Sequence, residues 1–490
     1  MEDATYNRKG PVAKCHPGTR KDVIAELTRW ADDDKGLAIC WLSGPAGYGK
    51  SAISHAIAEH YDQEPRRLVG NFFFFRGSGD RSTIRRLVHT LSNQLYHHVL
   101  TTRVPIHKAI DNYPQITTVS LTKQFQELIV EPIRKAGDVL VQMKPVIVID
   151  ALDECDDRDF MKEFIKGIID IFHDDRRPPL RILITSRVEE HIRVALETPA
   201  AVSAVHRLSL TDFDARPDIR SFFQKHLSAL YEERRRVMQN VATPWPSEND
   251  LDSLAKKSEG SFLFATLLIR LIGDQGLPQR NLYKALAAEE GLDPLYMQVL
   301  KVAPCDEHFE RVIGTVILLS EPISITFLAH LLRLESDEIV QTMMGLQSVL
   351  MIPGDNNQPI QLFHTSLRDF LISPKRSQVY FIHPEVRHLG IAADCLKVLT
   401  KQPTDDIFYG DRERYACLNW CHHVERGVTL VGKDLAGVLE EVPLVGIMKE
   451  FASNAMDVWL NTSLFVGKGQ LGSLRSAISK LKVGNIVLLF

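Results

Sequence analysis

Eight consecutive residues carry the densest chemical signal in the chain: Gly44, Pro45, Ala46, Gly47, Tyr48, Gly49, Lys50 and Ser51 spell G-x-x-x-x-G-K-S. Glycines at these positions let the backbone turn with its N–H groups aimed inward, and the lysine and hydroxyl follow at the start of a helical pattern. Such a loop surrounds anionic oxygens with donors and with the positive end of a helix. Lys50 is placed to contact β- and γ-phosphates, and Ser51 to offer a hydroxyl ligand to Mg²⁺.

A phosphate cradle needs a carboxylate to hold its metal, and Pro145–Asp150 reads PVIVID, an apolar run ending in an acid. Asp150 therefore falls at the carboxyl edge of a strand, where open α/β sheets bind ligands. Asp153 and Glu154 follow within four residues. A carboxylate there can polarise the water that attacks a γ-phosphate, with Glu154 preferred over Asp153. The other reading of Asp153, Glu154, Asp156 and Asp157 is a solvated acidic loop before the next helix. A further apolar run ends RILITSR, which sets Thr185, Ser186 and Arg187 on the same edge. Arg187 is then a cation able to report the presence of the γ-phosphate, or else a surface arginine opening the next helix. Downstream, Phe363–Leu371 (FHTSLRDFL) combines His364 with a serine and an aspartate at a helix start. A lone histidine in such a place is more often a hydrogen-bonded structural residue than a ligand.

These residues need a sheet to position them. Thr19 is a fitting N-cap for a helix over Thr19–Asp33 with Val23, Ile24, Leu27 and Trp30 on one face. Leu37–Ser43 reads as a buried strand, Lys50–Tyr61 as the helix after the loop, Leu68–Phe75 as a second strand and Ser82–Val99 as its crossover helix. A helix near Leu121–Lys135 precedes the strands Pro145–Asp150, Arg181–Thr185 and Val205–Leu210. Strands alternating with helices predict a parallel sheet covered on both faces. Past Asp212 helical periodicity takes over, interrupted by the loop ATPWPSEND. Cys305–Pro374 reads as three short helices, two short strands around GDNNQP and a helix from His364 to Leu371, an order that resembles a winged helix. Helix follows over Pro384–His423.

Four motifs in sequence, GPAGYGKS, IVIDALDEC, LITSR and FHTSLRDFL, resemble the NACHT class of signal-transduction ATPases, especially a fungal group whose nucleotide-binding module is similar to the N-terminal module of nephrocystin-like proteins. CHPGTRKDVIAELTRWADD, FFFFRGSGDRSTIRRLVHTLSNQL and YACLNWCHHV add to the resemblance, which runs from about Cys15 to about His423. It implies an α/β P-loop NTPase fold with a parallel sheet flanked by helices, followed by a helical domain and a winged-helix domain. It also implies ATP or ADP with Mg²⁺ as cofactors, a closed resting form held by ADP, and self-association in the ATP form. In that scheme His364 matches the histidine that contacts the β-phosphate of ADP, while Asp150 and Glu154 match the metal and catalytic carboxylates. The expected segments are a helical lead-in over 1–36, the ATPase core over 37–211, a small helical domain over 212–303, a winged-helix-like domain over 304–382 and a C-terminal helical region over 383–490. The family usually carries an effector domain before the ATPase and a repeat array after it. The stretch before the first motif is short for an effector, and the last part is short and aperiodic for a sensor, so the expectation is a truncated form with its upstream ligand and downstream effector unidentified.

Composition narrows the alternatives. Lys+Arg (58) and Asp+Glu (62) nearly balance, for a formal charge of -4 over 490 residues, without the basic excess of a dedicated nucleic-acid binder. Seven scattered cysteines make no disulfide framework, and no signal peptide or membrane-length apolar run is visible, which predicts a cytoplasmic protein with reduced thiols. Cys417, Cys421, His422 and His423 lack a standard zinc spacing, and the two cysteines one helical turn apart are expected to pack. Arg234–Arg236 reads as a solvated helix face. Two other functions compete with a regulatory switch: an ATP-dependent ring machine acting on DNA or protein, and a scaffold that binds nucleotide without hydrolysing it.

Overall fold

The computed structural model describes residues 4–8, 12–34, 36–75, 79–173, 179–273, 276–287, 292–303, 307–347, 349–362, 364–400, 413–431, 437–438 and 442–465. It divides into two compact units, Met1–Gly291 and Leu292–Phe490.

The first unit is built on five parallel strands, β1 (Ile39–Ser43), β2 (Leu68–Phe73), β3 (Val146–Asp150), β4 (Arg181–Ser186) and β5 (Val205–Ser209), in the order β2-β3-β4-β1-β5. Every residue of β1 to β4 is buried, as expected for strands covered on both faces. Successive side chains of a strand point to opposite faces, so each strand feeds two cores. Ile39 and Trp41, Ile147 and Ile149, and Ile182 and Ile184 join one core with Leu87, Val88, Leu91 and Leu95 of α3 (Leu87–His98) and Ile165 and Ile168 of the helix Arg158–Phe172. Cys40 and Leu42, Val146 and Val148, and Leu183 join the other, with Val23, Leu27 and Trp30 of α1 (Lys21–Asp32) and Ile53, Ile57 and Tyr61 of α2 (Lys50–Asp62). This alternation decides where the chemistry lies. Asp150 follows Val146 and Val148 at a spacing of two, and Thr185 follows Leu183, so both face the α2 side.

Several expected boundaries move. Thr19 is not the cap of α1: its hydroxyl donates to the His16 carbonyl at 2.7 Å, and the helix starts after Arg20, whose backbone is left-handed at φ 58°. Tertiary bonds hold that conformation, because the Arg20 N–H donates to Asp218 Oδ2 at 2.7 Å and its guanidinium to the Tyr48 carbonyl at 2.7 Å. The crossover after β2 begins with short 3₁₀ turns and becomes α-helical only at Leu87. The helix near Leu121–Lys135 contains a π-helical segment, Gln126–Val130. The helices Arg216–Glu233, Glu248–Lys257 and Phe262–Gly273 belong to the first unit. Arg234–Arg236 lies exposed just beyond the first of these.

The second unit contains the short helices Leu292–Val302, Phe309–Leu318, Ile325–Leu332 and Ser336–Met343, then an antiparallel pair of two-residue strands, β6 (Leu350–Met351) and β7 (Gln361–Leu362), and the helix Ser366–Leu371. His364 thus precedes that helix rather than opening it. The long helices Pro384–Thr400 and Arg414–Val431 follow. Cys417 and Cys421 are buried on the second of them, and among the described residues no group of three or more His, Cys, Asp and Glu could hold a metal. None of the described cysteines forms a disulfide. No helix among the described residues is long and apolar enough to cross a membrane. Residues 466–490, whose sequence ends in the apolar run IVLLF, lie outside the described residues.

Candidate phosphate and metal site

The loop from Gly44 to Gly49 joins the carboxyl end of β1 to the start of α2, with Gly47 and Gly49 at φ 78° and 90°. These left-handed positions need glycine, and at Gly47 a Cβ would also lie 2.6 Å from Leu263 Cβ and 2.8 Å from Ser261 Oγ. Gly49 is the N-cap of α2 and offers no side-chain cap, so the donors of the first helical turn face the loop. The Lys50 ammonium bridges the loop, donating to the Gly44 carbonyl at 2.6 Å and the Pro45 carbonyl at 2.8 Å.

Asp150 is 2% exposed at the end of β3. Its Oδ1 accepts from Ser54 Oγ at 2.7 Å and from Thr185 Oγ1 at 2.6 Å, and the Ser51 hydroxyl also bonds its carboxylate. Burial pushes the carboxyl above its usual range, while the Thr185, Ser51 and Ser54 hydroxyls and the nearby Lys50 charge pull it back. Thr185 is fixed in turn, because the Ala151 N–H donates to its Oγ1 at 3.1 Å. Beside it, Trp41 Nε1 donates to Ser186 Oγ at 2.8 Å.

After β3 the chain passes through Ala151 at φ 55° into a 3₁₀ turn, Leu152–Glu154. Asp153, 4% exposed, receives the Arg187 N–H on Oδ1 at 2.9 Å, and the Arg187 guanidinium lies 3.1 Å from Oδ2. Asp153 therefore ties the end of β4 to the acidic turn, and Glu154, half-buried, is the more accessible of the two acids. Asp157 stands before the helix Arg158–Phe172 without a capping side-chain hydrogen bond. Lys50 registers the whole cluster: its ammonium is lowered to about 8 by burial, opposed by Asp153, Asp150 and Glu154 and reinforced by Arg187. The structure brings Gly44–Ser51, Asp150, Asp153, Glu154 and Arg187 together; His364 lies in the second unit.

Two groups of residues around the site were not singled out by sequence. Ser54 is the first, and its signal was present, because it lies three residues after Ser51 and so shares its helix face. The second is a brace on the loop from the turn before the helix Phe262–Gly273. Leu263 N–H donates to the Gly47 carbonyl at 3.1 Å, the Tyr48 hydroxyl donates to the Glu259 carbonyl, and Arg20 bonds the Tyr48 and Gly260 carbonyls while lying over the Phe262 ring. No local pattern announces contacts between segments so far apart.

A five-stranded parallel sheet with helices on both faces, a glycine-rich loop running into a helix, and a buried acid at the end of a neighbouring strand define a P-loop NTPase fold. Residues 18–187 match the family described as nephrocystin 3, N-terminal, a stretch that contains the loop, Asp150 and Arg187, so this part of the chain is similar to that module. No curated protein matches the chain. Similar solved structures include a signal transduction ATPase with numerous domains (STAND) bearing a tetratricopeptide repeat sensor, from Pyrococcus horikoshii, at 14% identity and TM-score 0.44. That alignment covers 98% of this chain and 59% of the other, so the chain spans about 59% of that protein's length. The ORC1 protein of Aeropyrum pernix in complex with DNA is similar at 14% identity and TM-score 0.32, over 71% of this chain and 88% of the other. The Cdc6p protein of Pyrobaculum aerophilum is similar at 12% identity and TM-score 0.33, over 75% and 96%.

Proposed function

We propose that the chain is a nucleotide-dependent signalling switch of the NACHT type, which binds ATP or ADP with Mg²⁺ and hydrolyses ATP slowly. The observation that carries this reading is the buried Asp150 carboxylate bonded by Ser51, Ser54 and Thr185 beside a lysine-bearing glycine loop. A buried acid surrounded by hydroxyls beside a helix N-terminus offers the oxygen ligands that a divalent cation would need, and the glycine backbone suits close approach of phosphate oxygens. In this reading Lys50 holds the β- and γ-phosphates, and Ser51 and Asp150 would hold Mg²⁺, which would supply positive charge beside the phosphates. Glu154 orients and deprotonates the attacking water. Arg187, fixed through Asp153, responds to the γ-phosphate from the adjoining strand.

In the second unit the helices Phe309–Leu318, Ile325–Leu332 and Ser336–Met343, the hairpin β6–β7 and the helix Ser366–Leu371 follow one another in the order of a winged helix, with His364 at the hairpin exit. Nucleotide that binds one of two forms of the chain more tightly shifts the balance between them, so ADP favours a resting form and the ATP form self-associates. Identification of nucleotide released from the purified chain by chromatography tests the reading, with ADP expected. Lys50→Ala is expected to remove binding by calorimetry while the protein stays folded; unchanged affinity would refute the site. Slow turnover is expected with or without DNA, and stimulation beyond about tenfold by DNA would replace the switch with an ATP-dependent machine.

A further inference from the structure

In the second unit the helices Pro384–Thr400 and Arg414–Val431 pack against each other and bury His388 on the first and Tyr415 and His423 on the second. The three side chains form one hydrogen-bonded chain. His388 Nδ1 lies 2.8 Å from His423 Nδ1, His423 Nε2 lies 2.7 Å from the Tyr415 hydroxyl, and that oxygen accepts the Ser320 main-chain N–H at 3.0 Å. Two ring nitrogens at this separation must share one proton, because two lone pairs repel and two N–H groups clash. The Ser320 N–H occupies a lone pair of the phenol and leaves its O–H to donate to His423 Nε2. His423 then carries its proton on Nδ1 and donates it to His388 Nδ1, and His388 carries its own on Nε2. Every bond in this order is made by neutral rings.

An added proton has no place in the chain. On His388 Nδ1 it would face the His423 N–H, and on His423 Nε2 it would face the Tyr415 O–H. The surroundings oppose it as well. Burial holds both imidazoles well below their usual range, and Arg368, Arg426 and His422, with Arg387 on His423, act in the same direction. The nearest acids are engaged elsewhere: Asp394 is bonded by Arg387 at 2.7 Å and by Arg311 at 3.2 Å, Glu385 lies 3.3 Å from His383, and Glu425 acts on Cys421. Cys395 and Glu321 face the Tyr415 phenol, which burial chiefly keeps protonated. Lys449 and Glu450 of the packed helix Leu444–Asn454, and Asp457 after it, are exposed.

We propose that this buried His–His–Tyr chain is a pH-sensitive latch: it holds the helix Pro384–Thr400 on Arg414–Val431 only while both rings are neutral, and mild acid opens the pair. Opened rings take up a proton near pH 6.5 and closed rings do not, so the latch is at full strength above that pH and is lost as the pH falls below it. With two such rings the ratio of closed to open pairs falls by about a hundredfold between pH 7.5 and pH 5.5. The inference involves neither phosphate nor metal and stands apart from the nucleotide reading.

Hydrogen exchange of the full chain, corrected for intrinsic rates and read in peptides from 384–400 and 414–431, tests it. Protection there is expected to fall by about a hundredfold from pH 7.5 to pH 5.5. His388→Gln removes one titrating ring and should reduce the fall to about tenfold, whereas Tyr415→Phe should lower protection at every pH yet keep the hundredfold fall, which separates titration from packing. A parent whose protection in these helices changes by less than about threefold, or a His388→Gln protein with the whole fall, would overturn the latch. Where a variant does not fold, the parent labelled with ¹⁵N-histidine supplies the second measurement: coupling across the N–H···N bond identifies the His388 and His423 rings without substitution. Both rings are expected to be neutral in the closed pair at pH 5.5, and an imidazolium in either would overturn the proposal.

Discussion

Raising the pH through 8 should discharge Lys50 before an ordinary lysine loses its proton, and nucleotide affinity should fall with it. Burial is the main cause of the low value, and the Arg187 charge acts in the same direction, while Asp153, Asp150 and Glu154 together hold the ammonium partly in place. Phosphate binds the charged form. In the free protein about nine-tenths of Lys50 is charged at pH 7 and about one-tenth at pH 9, so the dissociation constant for ADP should rise by about tenfold, or about 1.4 kcal/mol. The sign is specific. Binding takes up a proton, so affinity is fully present below about pH 8 and lost above it. Folding stability moves the other way: the folded-state value lies below the ordinary lysine value of 10.5, the unfolded chain binds more protons between the two, and this group's contribution to stability rises with pH across that window. Calorimetric titration with ADP from pH 7 to pH 9.5 measures the first effect, and urea unfolding over the same range the second. Asp153→Asn removes the largest charge that supports the ammonium and should shift the loss of affinity to lower pH. A flat affinity profile for the parent, or an Asp153→Asn profile displaced upward, would refute the assignment of Lys50 to the phosphates.

Glu154→Gln should retain ATP affinity within about twofold while lowering single-turnover hydrolysis by about a hundredfold or more; hydrolysis at the parental rate would move the base elsewhere. Ser54→Ala removes one donor from the buried Asp150 carboxylate and should cost about 1.5–3 kcal/mol in urea unfolding, with Mg²⁺-dependent nucleotide affinity weakened in parallel. Gly47→Ala combines a left-handed backbone with a Cβ driven against Leu263 and Ser261, and should destabilise the loop and its brace by about 1–3 kcal/mol, seen as a lower melting temperature and faster hydrogen exchange in Ser258–Leu263.

Much of this was legible locally. The run from Gly44 to Ser51 specifies its own turn, because positive φ values and a helix start depend on residues within a few positions of one another. Unbroken β-type runs marked β1 to β4, and their final residues located Asp150 and Arg187 on one edge. The helices, hairpin and helix order of the second unit also followed from short-range periodicity. Local pattern failed where a distant partner outweighed it. Thr19 has the chemistry of a helix cap, yet α1 starts two residues later because Arg20 is held by Asp218 and by the Tyr48 carbonyl.

What the amino-acid order determined alone was therefore the set of chemical groups and the strand or helix that bears each one. Only the tertiary structure decided their company: the order β2-β3-β4-β1-β5, which no single strand encodes, and the parity that turns Asp150 toward α2. The same holds for the hydroxyls of Ser54 and Thr185, separated from Asp150 by 96 and 35 residues, and for His388 against His423, separated by 35. Backbone geometry propagates over a few residues, whereas a buried polar group must be matched by whatever the packed chain brings within about 3 Å of it, and that is a property of the whole fold.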